Sequence, residues 1–244
     1  GNSIKNKQIE DFQKQMAIKP YDSQKKIFII DSAGSMTVSA QNRLLKVFEE
    51  PPKYGIVILV TDNIYKLLPT IRSRGQILNF TGISKNIMED DLIKRYNIDS
   101  NLSEIYYGFS QGSYGKAIQF IEDEEFLSRR SYIIDMLESL LKKDNRKIFD
   151  YISYFEDKKD FIDDLISFMT YWLRDIIIYK ESQSEEFIIN KDYIEKIKSH
   201  SMIFDKVFIN HCIENIKDTD KKISSNVNYS LCIETLLLNI QEGR

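Results

Sequence analysis

Glu49-Glu50-Pro51-Pro52-Lys53-Tyr54-Gly55-Ile56-Val57-Ile58-Leu59-Val60-Thr61-Asp62-Asn63, with Leu68-Pro69-Thr70-Ile71-Arg72-Ser73-Arg74-Gly75 shortly after it, decides how the first third of the chain folds. Two prolines stop the helix before them, because proline has no N–H for the ladder and biases its predecessor away from helical backbone. Ile56–Val60 is an unbroken apolar run, which fits a strand covered on both faces in a parallel sheet. The run gives way to polar Asn63. Lys66–Arg72 then forms a short helix or turn that ends by presenting Arg74 beside Ser73. A guanidinium fixed there is suited to a phosphate held by a neighbouring molecule, since its planar fork matches phosphate oxygens.

Upstream, Lys25–Asp31 is a second apolar run that ends in an acid, again a buried parallel strand. Thr37 is placed to cap a helix over Val38–Glu49, whose stripe of Val38, Leu44, Leu45 and Phe48 would face the core. Residues 4–16 fit an amphipathic helix on Ile4, Ile9, Phe12 and Met16, stopped by Lys19-Pro20. Gln76–Phe80 reads as a third strand. Strands alternating with helices predict an α/β layer with a parallel sheet. Three strands under one helix are too few to bury such a sheet, so roughly 80–100 residues of the same domain are expected to precede Gly1.

After Phe80 the strand signal ends. Helices are predicted over Ser84–Tyr96, Leu102–Ser110 and Lys116–Ile121, with a turn at Gly112-Ser113-Tyr114-Gly115. From Phe126 to Gln241 the period is helical, in four or five segments broken near Lys143–Asn145, Asp157–Asp160, Ser182–Ser184 and Lys217–Ser225. Composition shifts near Thr81–Ser84 and Glu122–Glu125 divide the chain into residues 1–80, 81–122 and 123–244. The fold class is a parallel α/β domain followed by two all-α domains, mainly helical overall.

Composition narrows the function classes. The 244 residues carry a net charge of −3, which argues against a protein that grips nucleic acid unaided. Only 9 Gly and 4 Pro are present, as suits long helices with few sharp turns. Cys212 and Cys232 have no paired spacing and read as small buried hydrophobes in a reducing compartment. No apolar run reaches the ~18–20 residues needed to cross a bilayer, and no secretory signal is visible, so a cytoplasmic protein is expected. His200 and His211 stand apart from any ligand spacing and read as surface or satisfied core residues. Trp172, among Phe161, Leu165, Phe168, Met169 and Leu173, belongs to a core stripe. Leu231, Ile233, Leu236, Leu237, Leu238 and Ile240 cover more than one helix face, so their helix should be largely buried.

Four segments resemble the AAA+ module of bacterial clamp-loader subunits: Ile29–Thr37, Ala40–Lys46, Glu49–Pro52 and Leu67–Arg74. Asn226-Val227-Asn228 ahead of Leu231 and Leu236–Leu238 resembles the last collar helix of the delta-prime branch of the DNA polymerase III loaders. The likeness is strong over 25–80, looser at Gly112–Ala117, and recovers over 161–180 and 226–240. It implies an AAA+ domain (1–80), a small helical lid (81–122) and a helical collar (123–244). It further implies a non-catalytic subunit that completes a five-membered ring and lends Arg74, supported by Ser73, to the ATP site of an adjacent gamma/tau subunit. Partners would be gamma/tau and delta and, less directly, the sliding clamp and primer-template DNA. The chain would hold no cofactor: ATP and Mg²⁺ would sit on the neighbour, and the family's zinc module would lie ahead of Gly1.

Several residues depart from the active pattern. A working Walker B strand ends in two acids, one for Mg²⁺ and one for the attacking water, but Asp31 is followed here by Ser32. Asp31 is therefore given a structural role, accepting bonds from nearby backbone N–H groups. No Gly-x-x-x-x-Gly-Lys-Ser/Thr loop occurs. Asn63 stands where relatives sense the γ-phosphate, and capping of the strand end remains an equal reading. Gly75 replaces the family's cysteine after the arginine, and no arginine occupies Gly112–Ala117 to reach a nucleotide from the lid. The alternatives are an ATP-hydrolysing gamma/tau-type subunit whose phosphate loop lies upstream, and a helical adaptor carrying a degenerate half-module.

Overall fold

The two apolar runs pair as expected. In the computed structural model, which describes residues 3–142 and 147–242, β1 (Lys26–Ile30) and β2 (Gly55–Leu59) run parallel, from Lys26 opposite Gly55 to Ile30 opposite Leu59. A parallel pair needs a crossover, and α2 (Val38–Glu49) supplies it. Thr37 caps α2, its hydroxyl accepting the Ala40 N–H at 3.2 Å. The chain leaves helical backbone at Glu50, immediately before Pro51-Pro52. α1 (Asn6–Ala17) is closed at its C-terminal end by Lys26, whose Nζ donates to the Gln15 and Ile18 carbonyls at 2.6 and 3.2 Å. A short α3 (Pro69–Arg72) comes after β2, with Pro69 at its first position, where a missing N–H costs nothing.

Residues 1–80 form one compact unit around Ile9, Ala33, Met36, Ala40, Leu44, Leu67 and Ile71. Four expectations need correction here. The strands are covered on one face only among the described residues, because Ile27, Ile29, Ile56, Ile58 and Val60 are exposed. Gln76–Phe80 makes no ladder, and Ile77, Leu78 and Phe80 lie open to solvent. The buried face of α2 is Ala40, Gln41, Leu44 and Val47, with Val38 exposed. α1 starts at Asn6 because Ile4 is already used in a parallel bridge to Met36.

Residues 81–244 form the second unit. Its helices are α4 (Lys85–Tyr96), α5 (Ser100–Ser110), α6 (Tyr114–Glu122), α7 (Phe126–Leu141), α8 (Ile148–Asp157), α9 (Ile162–Ser182), α10 (Ile194–Ile203), α11 (Lys206–Ser224) and α12 (Tyr229–Glu242). A single hydrophobic cluster runs from Met88 and Leu92 on α4 to Ile240 on α12, so the segments expected as lid and collar share one core. Gln111 and Gly112 end α5 with positive φ, and a Cβ on Gly112 would meet the Ile83 carbonyl at 2.8 Å, so glycine is required there.

From Phe126 onward there are six α-helices among the described residues, where four or five were expected. The additional break falls at Phe204–Asp205, where the Asp205 carboxylate accepts the Phe208 N–H at 2.7 Å and starts α11. α11 continues through Lys217 to Ser224. The expected break at Lys143–Asn145 lies outside the described residues. Trp172, Cys212 and Cys232 are buried as expected, while Leu231 and Leu238 are the exposed members of α12's apolar set. His200 is buried but not fully satisfied, since its Nδ1 has no hydrogen-bond partner among the described residues.

The loop between α9 and α10 is fastened by buried charge. Asp175 accepts the backbone N–H groups of Ile189 and Asn190 at 3.1 and 2.8 Å and the Asn190 side-chain amide at 2.7 Å. Arg130, equally buried, donates to Asn190 at 2.7 Å and to Asp192 at 2.6 Å. Burial pushes the Asp175 carboxyl above its ordinary range, against the opposing pull of the Ile189 and Asn190 donors.

Candidate functional site

Arg74 stands just past α3 at the rim of the first unit. Its backbone N–H closes the turn by donating to the Ile71 carbonyl at 3.0 Å. The guanidinium donates through Nη1 to the Thr70 carbonyl at 3.1 Å and through Nη2 to Glu49 Oε1 at 3.3 Å. The side chain is 38% exposed and its partner Glu49 54% exposed, so the pair is held at the surface. Ser73 donates its hydroxyl to that same Thr70 carbonyl at 3.2 Å. Serine and arginine therefore share one acceptor. Gly75 is not demanded by space, since a Cβ there would meet nothing nearer than the Ile71 carbonyl at 3.9 Å.

The other predicted residues lie at a different edge. Because β1 and β2 are parallel, the segments after them emerge together, bringing Asp31, Ser32 and Asn63 to one end of the sheet. Asp31 Oδ1 accepts the Ser32 N–H at 2.7 Å, with Ser32 in left-handed backbone at φ 50°. Asn63 Oδ1 accepts the Tyr65 N–H at 2.9 Å, capping the 3₁₀ turn Ile64–Lys66. Lys66 pairs with Asp62 at 3.0 Å and holds that carboxyl below its usual range. Both Asp31 and Asn63 thus serve the local backbone. Arg74 lies beside the last residue of α2, and α2 runs back from the Asp31 edge toward the start of β2. The arginine and the Asp31–Asn63 set form two separate places.

Two further residues matter here that the sequence alone does not single out. Glu49 looks like no more than part of a helix stop, yet it is Arg74's acidic partner. Gln41 looks like one letter of a motif, yet it is buried and hydrogen-bonded to the segment that leads into α3. The available signal is a long polar residue between Ala40 and Leu44, on the face that packs inward. Among the described residues no group of three or more His, Cys, Asp or Glu is arranged to hold a metal. No helix there is long and apolar enough to cross a membrane.

Known proteins share much of this chain. Residues 1–84 match the family described as DNA polymerase III, delta subunit, and residues 124–242 match the one described as DNA polymerase III, delta subunit, C terminal. The delta-prime subunit of DNA polymerase III from Bacillus subtilis is 28% identical over 254 aligned residues, covering 100% of this chain and 74% of that protein. The gamma subunit of Buchnera aphidicola is 27% identical over 241 residues, covering 91% of this chain and 62% of that protein. A crystal structure of a gamma subunit-related protein from Thermotoga maritima superposes with a TM-score of 0.48 at 18% identity, covering 100% of this chain and 81% of that one.

Proposed function

We propose that this chain, which belongs to the DNA polymerase III delta-subunit family, works in a cytoplasmic clamp-loading assembly as a subunit that hydrolyses no ATP itself and lends Arg74 to an ATP site on an adjacent gamma/tau-type subunit. Arg74 carries this reading: it is a surface guanidinium on a hydrogen-bonded turn, restrained by one carbonyl and one solvent-exposed carboxylate. An arginine stabilising charge on a transferring γ-phosphoryl contributes about 10³–10⁵ in rate, or ~4–7 kcal/mol. An exposed ion pair such as Arg74–Glu49 is worth ~1 kcal/mol or less, so exchanging it for a phosphate is favourable.

The nucleotide and Mg²⁺ belong to the neighbour in this reading. Asp31 has its carboxylate on the Ser32 N–H, and Ser32 supplies no second acid to polarise water. Delta- and gamma/tau-type subunits are the direct partners, and the sliding clamp and primer-template DNA are reached through the assembly. Reconstitution with those two subunit types tests the proposal. ATP turnover should rise when this chain completes the assembly, and the chain alone should show none. Turnover by the isolated chain would favour an ATP-hydrolysing gamma/tau-type subunit instead.

A further inference from the structure

Arg72 ends α3 two residues before Arg74, and the two side chains part there. Residues two apart on a helix do not share a face. Arg74 goes to Glu49 at the end of α2. Arg72 goes to the turn that precedes α3, where its guanidinium carbon lies 5.3 Å from the centre of the Tyr65 ring. The Tyr65 N–H donates to Asn63 Oδ1 at 2.9 Å, so the ring stands on an anchored turn, and the residue is 81% exposed.

Among the described residues Arg72 has no acid. Arg43, Arg74, Arg95, Arg129, Arg130 and Arg174, the other described arginines, each have a carboxylate oxygen at 3.3 Å or less. A shortage of acids is not the cause, because the chain carries 37 Asp and Glu against 34 Lys and Arg. Asp62, the acid three positions before Tyr65, is taken by Lys66, which donates to both its oxygens at 3.2 and 3.0 Å. The buried Nε of Arg72 makes no hydrogen bond among the described residues, so its inward edge ties the group to nothing there. What remains is the Nη edge of a guanidinium steadied by a ring, which suits a two-point bond to an oxyanion. Tyrosine and arginine are also the residue types that carry much of the binding energy at protein interfaces.

We propose that Arg72, stacked on Tyr65, receives a carboxylate side chain of the adjacent gamma/tau-type subunit and so sets how tightly this chain docks there; this rests on the reading of Arg74 as the arginine lent to that subunit's ATP site. Two arginines that leave one helix end in different directions do not close on one phosphate. With Arg74 committed to the nucleotide, the group that Arg72 meets is one of the neighbour's own side chains. The contact adds affinity and selects the partner, since a neighbour lacking the acid would cover a bare guanidinium at the interface. Arg72 is thus a docking residue, and phosphoryl transfer does not pass through it.

The test is ATP turnover as this chain is titrated into the other subunits of the assembly, for Arg72→Met, which keeps the stem against Tyr65, for Arg72→Lys and for Tyr65→Leu. Arg72→Met should raise the half-saturating concentration of this chain about 10-fold or more, with kcat at saturation unchanged. Arg72→Lys should recover part of that loss, and Tyr65→Leu should shift the half-point about 2- to 5-fold. The gap between wild type and Arg72→Met should narrow as salt rises from about 0.1 to 0.5 M. Arg74→Ala should do the reverse, lowering the plateau at an unchanged half-point. An unshifted half-point for Arg72→Met while Arg74→Ala lowers the plateau would overturn the docking role alone. A raised KM for ATP in place of a shifted half-point would also overturn it, by assigning the guanidinium to a nucleotide phosphate. An Arg74→Ala plateau equal to wild type would remove the underlying reading and this role with it. Urea unfolding of the unassembled chains gives a readout independent of turnover. The Arg72→Met midpoint should match wild type, and a clear fall would show the guanidinium to be a structural tie and contradict the proposal.

Discussion

Arg74 and Glu49 meet across the ends of two helices of the same unit, Nη2 to Oε1 at 3.3 Å, with both side chains open to water. Pro51 and Pro52 fix the position of the acid, since they allow α2 no further turn. A contact of this kind orients a guanidinium without committing it. At about 0.15 M salt the screening length is about 8 Å, and an exposed pair is further weakened by the freedom of two long side chains.

Glu49→Gln should therefore leave stability within about 0.5 kcal/mol of wild type. Urea unfolding at low and high salt measures this. A loss above about 1 kcal/mol, vanishing at high salt, would show the pair to be a structural tie and not a resting place for the arginine.

Leu44→Ala should open a cavity in the small core of the first unit and cost about 2–5 kcal/mol there. Limited proteolysis is the measurement, with new cleavage expected within residues 3–80 while the helical unit stays resistant. Cleavage appearing equally in both units would show that they unfold as one.

Arg130→Ala should be among the most damaging single changes in the second unit. It strands Asp192 and Asn190, which clamp the α9–α10 loop. Breaking one side of a buried charge pair typically costs about 3–5 kcal/mol. Unfolding followed by the fluorescence of Trp172, the chain's one tryptophan, reports it; a loss below about 1 kcal/mol would show the clasp to be dispensable.

His200 should make the helical unit acid-sensitive. Burial lowers its pKa below the ordinary 6.5, with Glu138 opposing that shift and Lys142 and Lys196 adding to it. The unfolded chain takes up a proton near 6.5 that the folded chain resists, so stability is full above that pH and falls as pH drops toward the folded value. Its ring packs edge-on to Trp172 at 5.7 Å, so the tryptophan is a local reporter. Urea midpoints between pH 5 and 8 should decline on the acid side in wild type and decline less in His200→Leu. Identical acid slopes would show that other groups dominate.

The first unit is readable where the residues leave few options. Two unbroken apolar runs, a threonine cap and a double proline fix β1, α2 and β2 almost to the residue. The phase of α2 is harder, because hydrophobicity alone favours Val38, whereas the buried positions go to small Ala40 and to Gln41, whose length lets it reach backbone across the core. Gln76–Phe80 has strand-like residues but no ladder partner among the described residues, and propensity without a ladder makes no strand. The break at Phe204–Asp205 carries neither glycine nor proline, and the helical period is similar on both sides. At the candidate site, the placement of Arg74 beside Ser73 just past a short helix is legible in the sequence. Gln41 and Glu49 are not, because their roles arise from contacts 27 and 25 residues away in sequence.

Steady-state ATP hydrolysis by an assembly reconstituted with Arg74→Ala bears most directly on the central claim. The expected result is a fall in kcat of about 10³-fold or more, with assembly and KM for ATP unchanged and only poor recovery by Arg74→Lys, which lacks the fork. Turnover equal to wild type by a fully assembled Arg74→Ala complex would contradict it.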